Sequence, residues 1–496
     1  MQTIDFVVFA VFTLGVVLFG CSFFKKGSSA EEFAHAGRSL PGWVVGMSIF
    51  ATYVSSISYI GYPGKAFATN WNAFVFSLSI PVAAYFAARY FVPFYRNSGS
   101  VSAYAFLEEK FGRWARLYAS ACYLLTQIAR MGSILYLLAM PMHILMGWDM
   151  VTVIIATSAL VIVYSMMGGL KAVIWADAIQ GIILIGGALL CLAILLFSLP
   201  EGPTQLFRLA VDAPGGNKFS LGSLGASLTE STFWVCLVYG IFINLQNYGI
   251  DQNYVQRYHT AKSLHAARFS VLFGGYLFIP VSALFFLIGT ALYGYYAVGV
   301  DSLPEAIASH PDYVFPYFIV SSLPVGLRGL LIASIFAAGM STISTSVTSA
   351  ATVIYTDYVQ PYASHRSTLT SHPSPLATLR LASLAVGILG TVTAIAMLGV
   401  QSIVDAWWIL SSIFSGGMLG LFLLGILPRH IGRDSALAGC LAGIAVIAWI
   451  SLAGILDLPG PHLHEYLAIV LGTTTIFCTG FLAALLARSN NQRPSR

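Results

Sequence analysis

Apolar residues in this chain gather into long runs, near residues 4–24, 41–62, 71–95, 117–146, 150–167, 173–198, 232–256, 266–296, 327–356, 377–400, 403–427, 435–456 and 464–487. At 1.5 Å per residue these runs are long enough to cross a bilayer as helices, so the pattern predicts thirteen transmembrane helices and an all-α integral membrane protein. Two of the runs are interrupted. "SSISYIGYPGKAF" (55–67) breaks the second and "NLQNYGIDQN" (244–253) the seventh with polar and turn-forming residues. Broken backbone at membrane depth is tolerated only where it is buried in protein or lines a cavity. The two breaks lie five spans apart, the spacing of two inverted repeats of five helices, although ordinary Gly and Pro kinks give the same local signal.

Composition agrees with this pattern. Of 496 residues, 57% are hydrophobic and 9% charged, with a mean hydropathy of +0.81; soluble domains carry about 25% charged residues. The first run, Ile4 to Phe24, has no basic leader and no small-residue cleavage site, so it reads as a retained helix. The six cysteines lie in or beside apolar runs and form no CxxC pair, which argues against disulfides and metal clusters. The net charge of +5 reports topology rather than a nucleic-acid partner. An external N-terminus and a cytoplasmic C-terminus place most of the 24 Lys and Arg residues, Arg257 among them, on the cytoplasmic side. No separate soluble domain is expected.

The densest polar cluster within an apolar run is "AAGMSTISTSVTS" (337–349), with seven hydroxyls in the nine residues from Ser341 to Ser349. On a helix Ser341, Ser344, Thr345 and Thr348 share one stripe, and Thr342, Ser346 and Ser349 another. Single hydroxyls serve close packing. A cluster beside Ala337, Ala338 and Gly339 instead offers neutral oxygens to a hard cation that must leave again. Asp177 lies six residues past Lys171, about 9 Å into its helix. A carboxylate at that depth is functional by default, a structural ion pair or helix cap being the alternative. Asp251 and Asp357 lie nearer the inner surface and read as structural. Arg130 sits near the middle of its run, about 20 Å from either end, too deep to snorkel easily. It faces an anionic ligand, whose carboxylate its planar fork would match, or pairs with Asp177. Ser55, Ser56 and Ser58 flank the break in the second helix, and Asn244, Gln246, Asn247 and Tyr248 form an amide-rich patch at the seventh. Unwound carbonyls at such breaks face cations while neighbouring hydroxyls face substrate. No nucleophile–base pair or phosphate loop is recognisable, so no enzyme is inferred.

In "FATYVSSISYIG" (50–61), "GGLKAVIWADAIQ" (168–180), "DQNYVQRY" (251–258) and "AAGMSTISTSVTSAATVIYTDY" (337–358) the chain resembles the sodium/solute symporter family, and the resemblance covers nearly its whole length. It implies a LeuT-like core at 41–427 made of repeats 41–198 and 232–427. An N-terminal helix and loop at 1–40 would precede it, and two C-terminal helices with a basic tail at 428–496 would follow. It implies a first sodium site on the carbonyls of Ala51, Val54 and Ala338 and the hydroxyls of Ser341 and Thr342. A second, present in some members, would use Asp177, Ser341, Ser344 and Thr345. Arg130 with Ser55 and Ser58 is similar to the bacterial sialic acid branch. That likeness implies a substrate carboxylate on Arg130, with Ser55, Ser56, Ser58, Phe74, Ser77, Asn244, Asn247 and Tyr248 around the substrate. The positions near Ser77 depart from the branch in lacking a long amide for the sugar portion. The expected protein is a monomeric, sodium-coupled importer of sialic acid or a related carboxylate in a bacterial inner membrane, carrying one or two sodium ions per cycle. The alternatives are sodium symport of a neutral sugar or proline, a proton-coupled permease using Asp177, and a non-transporting receptor of the same fold.

Overall fold

The computed structural model describes residues 2–23, 36–98, 102–363, 374–400, 402–428, 431–453 and 462–491. Among them the regular secondary structure is all helical, apart from an isolated bridge between Leu40 and Ala261. The principal helices are α1 (Thr3–Ser22), α2 (Gly42–Tyr53), α3 (Ile57–Ala68), α4 (Asn72–Ser98), α5 (Arg113–Met146), α6 (Met150–Val163), α7 (Gly169–Phe197), α8 (Phe233–Ile250), α9 (Gln252–Thr260), α10 (Leu264–Ala297), α11 (Pro311–Ser321), α12 (Leu327–Val359), α13 (Pro375–Ala396), α14 (Ile403–Ile426), α15 (Arg433–Ala453) and α16 (Leu467–Asn491). By length and composition eleven described helices can cross a membrane, and the bent pair α2–α3 makes a twelfth. The predicted count of thirteen is not reached, because the run at 150–167 yields only the shorter apolar helix α6. Gly169, at φ 61° and ψ −170°, marks the kink between α6 and α7. The run predicted at 232–256 also ends early, at Ile250.

Local chemistry explains both breaks. In the second span the helical ladder stops where the Val54 amide donates to the Phe50 carbonyl (2.9 Å), and Val54 itself is extended at φ −85°, ψ 102°. Ser55 then starts the second half: its hydroxyl accepts from the Ile57 amide (3.2 Å) and its carbonyl from the Tyr59 amide (3.0 Å). The two halves are bent by 57°. The Pro63 and Gly64 that made this stretch conspicuous lie inside α3, after a π turn at Ile57–Gly61. In the seventh span Asp251 is extended at φ −79°, ψ 122°, and its carboxylate accepts from the Asn253 amide at 2.7 Å. Ser and Asp are favoured at helix starts because their oxygens satisfy amides that have no partner within the helix.

Burial assigns α12 to the interior. Within its most apolar stretch 94% of residues are buried, against 22% in α1, so its hydroxyls face protein rather than lipid. The helices around the break approach closely. A Cβ placed on Gly289 of α10 would lie 2.2 Å from the Pro63 carbonyl oxygen. Because the obstacle is backbone, Gly289→Ala is expected to destabilise the fold by about 1–3 kcal/mol, the usual range for overpacking. Thermal melting of the purified protein checks this, with Gly186→Ala, whose added Cβ meets nothing within 4 Å, expected to melt like the wild type.

Candidate functional site

A narrow cavity opens at the two helix breaks. Ser55 and Ser58 reach it from the second span, and Asn247 and Asp251 from the seventh. Thr126, Gln127 and Arg130 of α5 and Trp407, Trp408 and Ser411 of α14 close its sides. Arg130 is 8% exposed. Its Nη2 donates to the Thr52 carbonyl at the end of α2, and its guanidinium carbon stands 5.9 Å from the Trp407 ring centroid. Among the described residues no carboxylate forms an ion pair with it. Its remaining donors face the cavity, where a planar guanidinium can take a carboxylate, and the Asp251 carboxylate lines the same cavity.

The end of α2 supplies the second feature. Where the ladder stops, the Thr52 carbonyl accepts from Arg130 and the Tyr53 carbonyl from the Ser58 hydroxyl (3.4 Å). The carbonyls of Ala51 and Val54 accept from no described donor. Buried carbonyl oxygens normally find a partner, and hard cations are bound by such oxygens. α2 packs against α12. There the Thr342 hydroxyl donates to the Ala338 carbonyl (3.2 Å), and the Ser341 hydroxyl donates to Asp177 Oδ1 (2.5 Å).

Asp177 lies at the centre of a closed network that the sequence reading did not foresee. Its Oδ2 accepts from the Ser48 hydroxyl (2.5 Å) and from Arg257 Nη2 (2.9 Å), and both Asp177 and Arg257 are fully buried. Arg257 also donates from Nη2 to Thr345 Oγ1 (2.8 Å), from Nε to Ser48 Oγ (2.7 Å) and from Nη1 to the Asn253 carbonyl (2.7 Å). The partner of Asp177 is therefore Arg257, not Arg130. Arg257 itself is an interior residue of α9 rather than a cytoplasmic loop charge, because its buried counter-ion offsets the cost of desolvation. Of the expected second sodium set, Asp177, Ser341 and Thr345 come together around this arginine, while the Ser344 hydroxyl turns along its own helix to the Ser341 carbonyl (2.9 Å).

The structure divides the expected substrate residues. Ser55, Ser58, Arg130 and Asn247 share the cavity wall, and the other five do not line it. Ser56 donates to the Ile134 carbonyl (3.4 Å) and Ser77 is bonded to Ser282 (2.6 Å). Phe74 packs on Trp71 and Phe286, Asn244 donates to Ser79 (2.9 Å), and Tyr248 packs on Tyr53 and Tyr254. On a broken helix successive hydroxyls diverge, so adjacency to the break did not determine direction. Asp251 was read as structural, yet it lines the cavity. Gln127, also unforeseen, stands three residues before Arg130 and hence on the same helix face, a spacing that could have revealed it. Its Oε1 accepts from Ser346 (2.8 Å) and Asn253 (2.9 Å).

A second cavity lies beyond an aromatic cluster of Phe76, Tyr239, Trp408 and Tyr466, whose ring centroids are 4.8 to 6.0 Å apart. There the Tyr466 hydroxyl donates to Asp405 Oδ1 (3.0 Å), and Lys65 Nζ donates to both Asp405 oxygens (3.0 and 2.8 Å). Since Tyr239 and Trp408 line the first cavity and Tyr466 the second, the cluster stands between them.

Residues 33–443 match the model of the sodium:solute symporter family. The chain is 31% identical to the sodium/sialic acid symporter SiaT of Proteus mirabilis (97% of this chain, 95% of the relative). It is 29% identical to the sodium/sialic acid symporter NanT of Aliivibrio fischeri (98% and 94%). Among solved structures it is similar to a Na+-coupled sialic acid symporter in a substrate-bound, outward-open state, with a TM-score of 0.88 and 30% identity over 98% of both chains.

Proposed function

Since the chain belongs to the sodium:solute symporter family, a family of membrane transporters and not of enzymes, we propose that it imports a carboxylate-bearing solute with sodium, and that the solute is sialic acid (N-acetylneuraminate). The observation that carries the substrate class is Arg130, a buried guanidinium that pairs with no carboxylate among the described residues and faces a cavity built on a broken helix. The names borne by the similar proteins support the particular carboxylate. Sodium would bind to the carbonyls of Ala51, Val54 and Ala338 with the hydroxyls of Ser341 and Thr342. Asp177, Ser341, Ser344 and Thr345 would form a second site once Arg257 releases Asp177. We further propose thirteen spans with α6 as one of them, inverted repeats at 41–198 and 232–427, and flanking segments at 1–40 and 428–496. The protein would work as a monomer in a bacterial inner membrane, with its N-terminus outside and its C-terminus in the cytoplasm.

The backbone connects ion and substrate directly. Thr52, whose carbonyl holds Arg130, lies between the two residues whose carbonyls are free for sodium. An ion on Ala51 and Val54 would fix that peptide and with it the guanidinium, preparing the carboxylate site before the loaded core reorients. The driving force is sufficient. One sodium crossing about 100 mV yields about 2.3 kcal/mol, and a tenfold gradient about 1.4 more. A monoanion costs about 2.3 on entry, so one sodium leaves about 1.4 kcal/mol and two leave about 5.1. Proteoliposome uptake of labelled N-acetylneuraminate tests the reading. An inward sodium gradient is expected to drive accumulation and a pH gradient alone is not. Uptake driven by protons without sodium would replace this reading with a proton-coupled permease.

A further inference from the structure

We infer that Asp251 is a second recognition group of the same cavity, accepting hydrogen bonds from a hydroxyl, amide or ammonium of the substrate whose carboxylate sits on Arg130. The inference rests on that reading of Arg130 and extends it to specificity. Asp251 is 3% exposed and lines the cavity together with Arg130. Its Oδ1 is taken by the Asn253 amide at 2.7 Å. Among the described residues its Oδ2 receives one hydrogen bond, from Gln127 Nε2 at the long distance of 3.4 Å. An ionised carboxylate accepts about four hydrogen bonds, so about half of the capacity of Asp251 is left over on a residue that lines the cavity.

The arrangement of the two charges supports the assignment. Arg130 and Asp251 face one cavity, yet no ion pair within 4.0 Å joins them or gives either another partner among the described residues. A purely structural pair in so dry a place would gain by closing. Two opposite charges held apart instead match a ligand with an acceptor end and a donor end. Asp251 also acts by repulsion. Its negative charge opposes any carboxylate that brings no donor to compensate, so it selects hydroxylated or amide-bearing acids over simple monocarboxylates. The remaining lining fits such a ligand, with Ser55, Ser58, Asn247 and Ser411 as further polar contacts.

Asp251 also caps α9, so its substitution must spare the cap. Asn and Ser cap as well as Asp does, so Asp251→Asn and Asp251→Ser keep a capping oxygen while removing the charge and the second carboxylate oxygen. Binding of N-acetylneuraminate and of propionate, a carboxylate without donors, is measured in sodium on the full-length wild type, both variants and Arg130→Ala, with melting curves to verify folding. Loss of a hydrogen bond to a charged group is expected to weaken N-acetylneuraminate by about tenfold or more. Propionate should bind the Asp251 variants as well as, or better than, the wild type. A fold-change common to both ligands, or no change in either, overturns the inference and leaves Asp251 as a cap alone. Retained binding of both ligands by Arg130→Ala overturns the carboxylate clamp instead. A wild type that binds neither probe overturns both readings.

Discussion

Replacing Arg130 with alanine is expected to weaken N-acetylneuraminate binding by a factor of at least about 30 and to stop sodium-driven uptake. Truncating one partner of a buried, hydrogen-bonded charge pair costs about 2–5 kcal/mol, which corresponds to factors from about 30 to several thousand. Nothing in the lining cushions the loss, because the cavity offers the carboxylate no second cation, and Asp251 repels it. Arg130→Lys should recover only part of the loss. A lysine keeps the charge but cannot fork between the Thr52 carbonyl and a carboxylate as the guanidinium does. Titration by isothermal calorimetry measures the effect without transport, and an unchanged melting temperature shows that the loss is one of binding.

The largest effect on stability is expected at Asp177. Asp177→Ala removes the counter-charge of Arg257, which is fully buried. Breaking a buried pair from one side costs about 3–5 kcal/mol. Arg257→Met should be similarly harmful, because it leaves the carboxylate to Ser48 and Ser341 alone. The double variant Asp177→Ala with Arg257→Met should recover much of the loss, since no charge is then stranded. Thermal melting of the four proteins in detergent forms the cycle. Additive single effects would show that the two side chains are not coupled as their 2.9 Å contact requires. The same contact bears on sodium number: a second ion at Asp177 must compete with Arg257 for an oxygen already in use.

Much of this architecture was legible in the sequence because the bilayer imposes a coarse rule. Long apolar runs gave the spans, and both interruptions of them are true breaks, at Val54–Ser56 and at Asp251. What misled was detail below one helical turn. The predicted interruption ran from 55 to 67, but the break is confined to its start, where the polar Ser55 cap positions it. Arg130 was recognisable from depth alone, since a charge in mid-membrane needs a reason. Arg257 was not, because its position near the end of an apolar run is where snorkelling arginines also occur. Phe74, Ser77, Asn244 and Tyr248 illustrate a further limit. Their residue types suit a substrate site, yet which way each points depends on helix rotation, and the structure commits Ser77 to Ser282 and Asn244 to Ser79. Trp407 and Trp408 were invisible for the opposite reason, being aromatic residues in an apolar run where lipid or core contact is the ordinary explanation.

The central claim is that sodium on the Ala51 and Val54 carbonyls and a carboxylate on Arg130 are coupled through the peptide of Thr52. Its most direct measurement is the affinity of the purified wild type for N-acetylneuraminate in sodium and in potassium at equal ionic strength, together with sodium affinity with and without the substrate. The account predicts that sodium tightens substrate binding by about tenfold or more and that substrate tightens sodium binding by the same factor, as linkage demands. Substrate affinity that is identical in sodium and potassium would contradict it.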